Sequence, residues 1–371
     1  MTLRILHLVH TPRYSGAETL VSDLCLQHRS LGTDVAVAAF SPAEPAFQKN
    51  LRILKEAGVT LFIPARQLGK HERLIHLIRC YGQYRPSVTF AHSVLPALYG
   101  RLALAGSNSE SRFVTVLHSA SNDDFSDAYL RLLERMIWRR ADHVVAVSEE
   151  GRNSYERRFG CRIPTSVIKN GIDLSQFKPK PQRAVRESMN IRPDQKILLQ
   201  IGRISPVKQQ HASVAALGTL IREGYDATLW LAGLTEDANY EATLREVLAR
   251  QSLSERVVFL GSRDDVVDLL SAADLFLMPS DQESQGIAFL EALACNVPSL
   301  VSNISAFRFA ANMANVRIAD PHSPDFSIAA KQLLSTGERT PRQLGEFDIR
   351  RTSQAYLSLA KALARESALA S

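Results

Sequence analysis

The sequence contains no long hydrophobic run. Of its 371 residues 45% are hydrophobic, but apolar runs such as residues 144–147 and 287–290 are far shorter than the roughly 18 residues that span a bilayer. Residues 1–7 lack the apolar core and the small-residue cleavage site of a secretory signal, and they read as a strand. The sequence therefore predicts a cytoplasmic protein that is not an integral membrane protein.

Cysteine is scarce and scattered along the chain. The four cysteines are Cys25, Cys80, Cys161 and Cys295, and no two of them form a C-x-x-C pair. This spacing favours neither a zinc site nor a disulfide framework. We expect the four thiols to be small buried apolar side chains.

The sequence motifs of several common enzyme classes are also missing. A nicotinamide enzyme needs G-x-G-x-x-G after its first strand, but residues 10–18 contain one glycine only, Gly16. The phosphate loop G-x-x-x-x-G-K-[ST], the zinc motif H-E-x-x-H and the nucleophile motif G-x-S-x-G do not occur either. These absences argue against a dehydrogenase, a P-loop protein, a zinc protease and an α/β-hydrolase.

Short apolar runs alternate with helical patterns over nearly the whole chain. This alternation predicts βαβ units, and therefore parallel sheets covered by helices on both faces. The polar, proline-containing residues 177–182, with no apolar period until residue 196, read as a linker between two such domains. The predicted strands are residues 4–9, 34–39, 59–63, 87–91, 113–117, 143–147, 197–201, 228–232, 257–260, 275–278 and 299–301.

Two carboxylates lie eight positions apart in the second predicted domain. With a helix starting near Gly286, Glu283 lies in the preceding loop and Glu291 in the second turn, so both can address one ligand. The N–H groups of Gly286, Ile287 and Ala288 then lie at a helix N-terminus, which suits anionic or polar groups. On spacing alone we favour a structural role, in which Glu283 caps the helix and Glu291 lies on its solvated face.

Two cations follow the first strand of the same domain. Gly202 is followed by Arg203 and, five positions further on, by Lys208. Arginine forks onto phosphate oxygens and lysine adds a point charge, so the pair could hold a diphosphate without a metal. The alternative is that both are ordinary surface charges.

Seven elements in this order resemble the retaining glycosyltransferases of family 4. In that family a glycine-rich first loop ends in Glu, a strand ends in His, and an E-x7-E signature closes the second domain. The matching elements are residues 15–18, His118 after residues 114–117, residues 147–149, residues 170–173 with Phe177, Gly202-Arg203 with Lys208, residues 257–261, and residues 273–294 with Glu283 and Glu291.

The resemblance implies the GT-B fold, an α/β architecture of two doubly wound, Rossmann-like parallel-sheet domains facing a central cleft. The N-terminal domain, residues 1–176, would bind the acceptor and be joined by the C-terminal helix, residues 348–371. The second domain, residues 177–347, would bind a nucleotide sugar.

The resemblance also implies the roles of individual residues. Arg203 and Lys208 would hold the diphosphate and stabilise the leaving group in place of a metal, and the sequence has no D-x-D metal motif. Glu291 would bind the ribose hydroxyls, and Glu283 and His118 the transferred sugar; a buried structural role is the alternative for His118. Gly16 would let the backbone approach a phosphate. The residues expected to bind the donor are Gly16, Gly202, Arg203, Lys208, Glu283, Gly286, Ile287, Ala288 and Glu291, and those expected to be catalytic are His118, Arg203, Lys208 and Glu283.

Family members retain the anomeric configuration, and the sequence offers no matching carboxylate nucleophile. We therefore favour attack on the face from which the phosphate leaves, with that phosphate taking the acceptor proton. No cofactor or metal is expected besides the donor.

Four positions depart from the family pattern. Gln209 stands where a glycine usually follows the motif lysine, and Gln285 where an aromatic residue or leucine is usual. Residues 295–298 lack the family's glycine before x-Pro, and residues 303–308 replace a segment that usually contains Gly-Gly and Glu. These departures leave the turn at Gln209, the sugar contacts and the activity open.

The excess of positive charge lies in the N-terminal half. Residues 1–180 contain 24 Lys/Arg and 16 Asp/Glu, whereas residues 181–371 contain 20 and 22. Within that half, the helix predicted over residues 128–140 combines an apolar face with Arg131, Arg135, Arg139 and Arg140. Such a helix could lie on an anionic membrane, or it could be a core helix with a solvated face.

The expected reaction is transfer of a sugar to a glycan or lipid-linked acceptor in bacterial lipopolysaccharide or polysaccharide synthesis, with possible contact to the cytosolic face of the inner membrane. The alternatives are another GT-B enzyme, such as a sugar-nucleotide epimerase or phosphorylase, and a non-catalytic module that binds nucleotide sugars. Nucleic acid is not expected as a partner, because basic stripes interleaved with aromatic residues are missing.

Overall fold

The computed structural model describes residues 3–119, 128–137, 142–160 and 163–370 of the chain. The chain divides into two compact units. Unit 1 comprises Met1–Gly171 together with Glu346–Ser371, and unit 2 comprises Ile172–Gly345. The division lies a few residues ahead of the boundary predicted after residue 176, and the C-terminal segment belongs to unit 1.

Unit 1 is built on a parallel sheet. Seven strands in its described residues follow the order β3-β2-β1-β4-β5-β6-β7. The direction of strand addition reverses between β1 and β4, and ligands of such sheets bind beyond the carboxyl ends of the strands at this switch point. The elements are β1 Arg4–Leu8, α1 Gly16–Ser30, β2 Asp34–Ala38, α2 Gln48–Glu56, β3 Thr60–Phe62, α3 Lys70–Tyr84, β4 Val88–His92, α4 Val94–Ala105, β5 Arg112–Leu117, α5 Ala128–Ile137, β6 His143–Ala146, α6 Glu149–Phe159 and β7 Thr165–Val167.

Helices cover both faces of this sheet. On one face Tyr81 of α3 and Ala97 of α4 pack on Leu6 of β1. On the other face Leu24 of α1 joins Tyr356 of the long C-terminal helix in a second apolar cluster. Both faces of the strands are therefore apolar, which explains their continuous hydrophobic runs.

Unit 2 repeats the same design. Six strands in its described residues follow the order β10-β9-β8-β11-β12-β13, all parallel, and the switch point lies between β8 and β11. Helices α8, α9 and α12 pack on one face of the sheet. The elements are α7 Gln182–Ser188, β8 Lys196–Ile201, α8 Gln210–Arg222, β9 Ala227–Ala232, α9 Ala238–Arg250, β10 Val257–Gly261, α10 Val266–Ala272, β11 Leu275–Met278, α11 Ile287–Ala294, β12 Ser299–Ser302, β13 Val316–Ala319 and α12 Pro324–Thr336; α13, Ile349–Ala370, returns to unit 1.

The segment predicted to be a linker is attached to unit 2. The backbone N–H of Lys180 donates to Ser271 Oγ at 3.1 Å, and the Gln182 side chain donates to the carbonyls of Ala272 and Ala273 at 3.3 and 3.2 Å. Helix α7 begins at Gln182, in the stretch up to residue 196 where the sequence shows no apolar period.

The cysteines of the described residues are buried. Cys25, Cys80 and Cys295 are free thiols in the apolar interior, as expected, and burial raises the pKa of Cys80 and of Cys295 to about 12. Cys161 lies outside the described residues. Within the described ranges, no helix has both the length and the hydropathy needed to cross a membrane.

Candidate functional site

The predicted donor-site residues of unit 2 follow the two strands at its switch point. Residues 202–209, here called the cation loop, follow β8, and residues 279–286, the acidic loop, follow β11. Strands β8 and β11 are hydrogen-bonded neighbours. Two segments far apart in sequence therefore meet at the sheet edge where doubly wound folds bind ligands.

Lys208 and Glu283 form an ion pair between these loops. Lys208 Nζ contacts Glu283 Oε1, and only 16% and 12% of the two side chains are exposed. Ser280 Oγ donates to the same carboxylate oxygen at 3.0 Å. Glu283 therefore points into the site. The structural alternative for Glu283 is wrong, because the helix cap is Gly286 and no side chain caps it.

A second connection fixes the turn that follows Lys208. Gln209 has φ = +48°, a left-handed conformation that favours glycine, and its Nε2 donates to Asp281 Oδ2 at 2.6 Å. The Asp281 N–H donates to the Val207 carbonyl at 2.9 Å. The departure at Gln209 thus keeps the glycine-like turn, and the glutamine side chain holds the two loops together.

Buried amides support the cation loop from below. Gln200 of β8 donates to the Lys208 carbonyl at 2.7 Å and accepts from Ser213 Oγ at 2.7 Å. Gln210 donates to the Arg203 carbonyl at 2.8 Å. Sequence reasoning missed these residues, although a glutamine inside the otherwise apolar strand β8 was a detectable signal, since buried polar side chains need partners.

Arg203 lies at the more open end of the cation loop. It pairs with Glu236, and close to half of each side chain is exposed. The backbone below it is tightly packed, because a Cβ on Gly233 would overlap the carbonyl oxygen of Gly202. Glu236 and Gly233 were not predicted, since both contacts connect β8 to the strand end of β9.

The helix start predicted near Gly286 is confirmed. Gly286 is the cap of α11 with φ = +70°, and a Cβ there would lie 2.6 Å from Phe307 Cε1. Ile287 and Ala288 form the first turn, whose N–H groups have no partner within a helix. Glu291 follows in the second turn and is half-buried.

The segment that replaces the family's Gly-Gly and Glu supports this helix start. Ser305–Ala310 form a 3₁₀ helix, and the fully buried Phe307 packs edge-on against Phe289 of α11 at 5.3 Å. The unusual Gln285 is also buried. Beyond the helix, Asn296 takes a left-handed conformation with φ = +58°, as glycine would.

Gly16 and His118 belong to unit 1. Gly16 begins α1, directly after the loop that follows β1, and is exposed. His118 follows β5 and is half-buried. Its Nε2 lies 2.9 Å from His92 Nδ1, the two rings stack at 5.1 Å, and burial lowers the pKa of His118 to about 4. His118 is therefore a neutral imidazole at ordinary pH.

The predicted basic helix corresponds to α5, which buries a carboxylate and exposes part of its apolar surface. Glu134 is buried and pairs with the buried Arg101, and Tyr155 donates to it at 2.8 Å. Three apolar side chains of the same helix are exposed, Tyr129 at 66%, Leu132 at 56% and Met136 at 69%, whereas its other large apolar side chains are half-buried. Arg139 and Arg140 lie outside the described residues.

Two family models match this chain, one in each half. Glycosyltransferase Family 4 matches residues 14–176, and Glycosyl transferases group 1 matches residues 181–349. The chain belongs to the family 4 glycosyltransferases. The two models leave residues 1–13, 177–180 and 350–371 unmatched, and the last of these ranges contains nearly all of α13.

Curated relatives match a part of this family 4 chain. It is 29% identical over 219 residues to N-acetyl-alpha-D-glucosaminyl L-malate synthase of Bacillus anthracis, covering 58% of this chain and 56% of that protein. It is 31% identical over 205 residues to a GDP-mannose-dependent alpha-(1-6)-phosphatidylinositol dimannoside mannosyltransferase of Mycobacterium tuberculosis, covering 54% and 51%. The matched stretch thus spans about half the length of these relatives.

Solved structures share the fold over the whole length of the chain. HepE of Anabaena, crystallised in complex with UDP-glucose, superposes with a TM-score of 0.76 and 22% identity, covering 99% of each chain. The predicted GT-B fold class, with two Rossmann-like parallel-sheet domains, is confirmed.

Within the described residues, no group of three or more His, Cys, Asp or Glu side chains is arranged to hold a metal ion.

Proposed function

We propose that this chain is a retaining glycosyltransferase that moves a sugar from a nucleoside-diphosphate sugar to a glycan or lipid-linked acceptor. The observation that carries the proposal is the Lys208–Glu283 pair at the carboxyl ends of β8 and β11. A cation and a carboxylate at this edge suit a ligand with a phosphate and a sugar. The names of the relatives, which include a mannosyltransferase dependent on GDP-mannose, support the same class of donor.

The diphosphate is assigned to the cation loop. Arg203 and Lys208 neutralise its charge, and the N–H groups of Ile287 and Ala288 at the start of α11 supply further donors. Gly202 and Gly16 keep the backbone open to phosphate. Fixed cations aimed at the leaving group replace a metal in this scheme.

The sugar and ribose hydroxyls are assigned to carboxylates and to one imidazole. Glu283 and His118 bind the transferred sugar, and Glu291 binds the ribose. A carboxylate that accepts hydrogen bonds from hydroxyls fixes their geometry, which aligns the anomeric carbon for attack.

In the proposed reaction the acceptor oxygen attacks on the face from which the diphosphate leaves. The bond from the anomeric carbon to the phosphate oxygen breaks, the bond to the acceptor oxygen forms, and the acceptor proton passes to the departing phosphate. The anomeric configuration is retained, and no enzyme nucleophile or redox partner is needed.

Both cations have carboxylate partners. Arg203 pairs with Glu236, and Lys208 pairs with Glu283. These partners hold the cations in the site before the donor arrives, and the donor phosphates then replace part of each pairing. Because Arg203 is the more exposed cation, we assign to it the first contact with the donor.

A lipid-linked acceptor agrees with the surface of α5. Leu132 and Met136 are exposed apolar side chains on a helix that also bears Arg131 and Arg135. This combination suits the surface of an anionic membrane. We therefore assign the reaction to lipopolysaccharide or polysaccharide synthesis at the cytosolic face of a membrane.

The test of the transferase is product formation. The purified chain is incubated with a panel of nucleoside-diphosphate sugars and a native lipid extract, and new glycosylated products are detected by mass spectrometry. We expect product with at least one donor and its loss in Glu283→Gln. Glu223→Gln is the matched control, since Glu223 pairs with Lys331 at the surface of the same unit. An equal loss in both variants would contradict the assigned site.

The same incubations separate the alternatives. An epimerase changes the donor sugar without any acceptor, and a phosphorylase releases a sugar phosphate only when phosphate is present. A non-catalytic binding module is stabilised against heat by a nucleotide sugar but gives no product.

Membrane contact is tested by flotation with anionic and neutral liposomes at low and high salt. We expect binding to anionic vesicles that weakens as salt increases and is lost in the double variant Leu132→Ser/Met136→Ser. Ile75→Ser is the control, since Ile75 of unit 1 is 51% exposed on α3. Absence of binding at low salt would exclude this surface as a membrane contact.

A further inference from the structure

Three histidines of unit 1 form a continuous hydrogen-bonded chain. His7 Nδ1 lies 3.0 Å from His92 Nε2, and His92 Nδ1 lies 2.9 Å from His118 Nε2. His7 is in β1 and His92 ends β4, the two strands of the switch point, and His118 follows β5. His7 and His92 are buried, and neither was singled out from the sequence.

A chain of neutral imidazoles permits only two arrangements of its protons. Each neutral ring has one N–H and one bare nitrogen, so each N···N contact needs a donor on one side and an acceptor on the other. In the outward arrangement His7 donates to His92, which donates to His118, and His118 bears its proton on Nδ1. In the inward arrangement both donations reverse, and His118 Nδ1 is bare.

The surroundings of His7 distinguish these arrangements. The Nε2 atom at the inner end of the chain is buried and has no hydrogen-bond partner among the described residues. The inward arrangement would place an N–H at this atom, whereas the outward one leaves a lone pair there. A buried N–H without an acceptor is the rarer and costlier defect.

The neighbouring His28 also has a buried ring nitrogen that bears no proton. His28 Nε2 lies 3.0 Å from the Ser353 carbonyl, which only accepts, so the proton of His28 is on Nε2. Its Nδ1 is then a bare nitrogen, buried and without a partner in the part of the chain that the structure describes. Unit 1 therefore already tolerates a buried bare imidazole nitrogen beside His7, whose ring centroid lies 6.3 Å away.

We propose that His7 and His92 are positioning residues that fix His118 as a hydrogen-bond donor at Nδ1. A donor at this atom binds a sugar hydroxyl oxygen and does not abstract a proton, so His118 acts as a ligand of the substrate and not as a general base. This role for His118 rests on the proposed function. The direction of the chain does not.

Burial keeps the three histidine rings neutral, and both proton arrangements require neutral rings. Burial, together with a smaller effect of the neighbouring His28, lowers the pKa of His7 to about 3. Burial, His118 and His7 lower the pKa of His92 well below its ordinary value. All three rings therefore remain neutral at pH 7.

The proton positions are measured by NMR on the full chain labelled with ¹⁵N-histidine at pH 7.5. Resonances are assigned with single variants, and long-range ¹H–¹⁵N spectra identify the protonated nitrogen of each ring. We expect His7, His92 and His118 to be protonated on Nδ1 and His28 on Nε2. Protonation of His92 or His118 on Nε2 would overturn the proposal, whether or not the protein is active.

Two variants at His7 test the link to activity. His7→Asn keeps an N–H near the position of Nδ1, so we expect His118 to stay protonated on Nδ1 and turnover to stay near the wild-type rate. His7→Leu removes the donor, so we expect mixed His118 tautomers and a kcat/KM lower by about tenfold, the size of one lost hydrogen bond. If His7→Leu lowers kcat/KM while His118 remains protonated on Nδ1, His7 acts through packing and the proposal is wrong.

The wild-type spectrum is the decisive measurement if His7→Leu does not fold. If the three histidines are protonated on Nδ1 but the protein has no transferase activity, the proposed direction of the hydrogen bonds is correct and the proposed function is wrong.

Discussion

Unit 1 and unit 2 each place polar side chains at the switch point of a doubly wound sheet, but with different electrostatics. In unit 1 neutral imidazoles connect the ends of β1, β4 and β5. In unit 2 an ion pair connects the loops after β8 and β11. Neutral rings fix where a proton is, whereas a charged pair attracts an anion, so the two units are suited to bind different chemical groups.

The largest effect expected from this comparison is on turnover. Lys208→Met removes the half-buried cation of unit 2, and we expect kcat/KM to fall by about 10²–10³, as for the loss of one preorganised group at a leaving group. The control is Lys331→Met, which removes an exposed lysine that pairs with Glu223. Steady-state kinetics on both folded variants measure the difference. Equal kcat/KM values for the two variants would mean that the charge of Lys208 does not stabilise the leaving group.

The second expected effect is a loss of stability in acid that is specific to unit 1. The pKa of His7 in the folded chain is about 3 and that of His118 about 4, both below the ordinary value of 6.5. The unfolded chain therefore binds more protons between these values, and stability falls as the pH drops below about 6.5. Each such imidazole contributes a loss of about 1.4 kcal/mol per pH unit.

Hydrogen exchange read by mass spectrometry and corrected for the intrinsic effect of pH distinguishes the units. We expect peptides from β1 and β4 to lose protection between pH 7 and 5.5 before those from β8 and β11. Loss of protection at the same pH in both units would contradict the prediction that acid destabilises unit 1 first. The described histidines with lowered pKa are His7, His10, His28, His76, His92, His118 and His143 in unit 1 and His211 in unit 2.

A third prediction concerns backbone geometry at the site of unit 2. Gly286→Ala adds a Cβ that would lie 2.6 Å from Phe307 at a residue with φ = +70°. We expect a loss of about 2 kcal/mol in the free energy of unfolding, since strain and overlap both apply. Urea denaturation measures it. The double variant with Phe307→Leu relieves the overlap but not the strain, so part of the loss should remain.

The smallest effect is expected at Gln209. Gln209→Gly relieves the left-handed conformation at φ = +48° but loses the hydrogen bond to Asp281, so the two changes offset within about 0.5 kcal/mol. Gln209→Ala loses the bond and keeps the strain, so we expect it to be about 1 kcal/mol less stable. Thermal denaturation of the two variants compares them, and equal stabilities would show that the bond and the turn are both unimportant.

The sequence predicted the alternation of strands and helices but not the edges of the sheets. Strands β7, Thr165–Val167, and β13, Val316–Ala319, were missed. Each is short, lies at the end of its sheet and has exposed or half-buried positions, so its apolar pattern is weak. Helix α7 was missed for a similar reason, because it is a seven-residue helix of mostly polar composition.

The site was predictable as far as it lies within contiguous motifs. Lys208 and Glu283 each stand in a recognisable motif, but their contact joins residues 75 positions apart. The partners of the motif residues, such as Glu236, Asp281 and Gln200, stand in no motif and become visible only when strands pair. A polar residue within an apolar strand is a signal in the sequence for Gln200 of unit 2 and for His7 of unit 1, but not for Glu236 or Asp281.

The buried Arg101–Glu134 pair reverses the usual logic of solubility for α5. A surface helix normally turns its apolar side chains inward. In α5 the buried ion pair lies on the inward side, and Tyr129, Leu132 and Met136 are exposed to water. Rotating the helix to bury these side chains would separate Glu134 from Arg101 and leave a buried charge without its partner, which is strongly destabilising. Substitutions that replace Leu132 and Met136 with polar residues to improve solubility would therefore remove the apolar surface that we propose contacts a membrane.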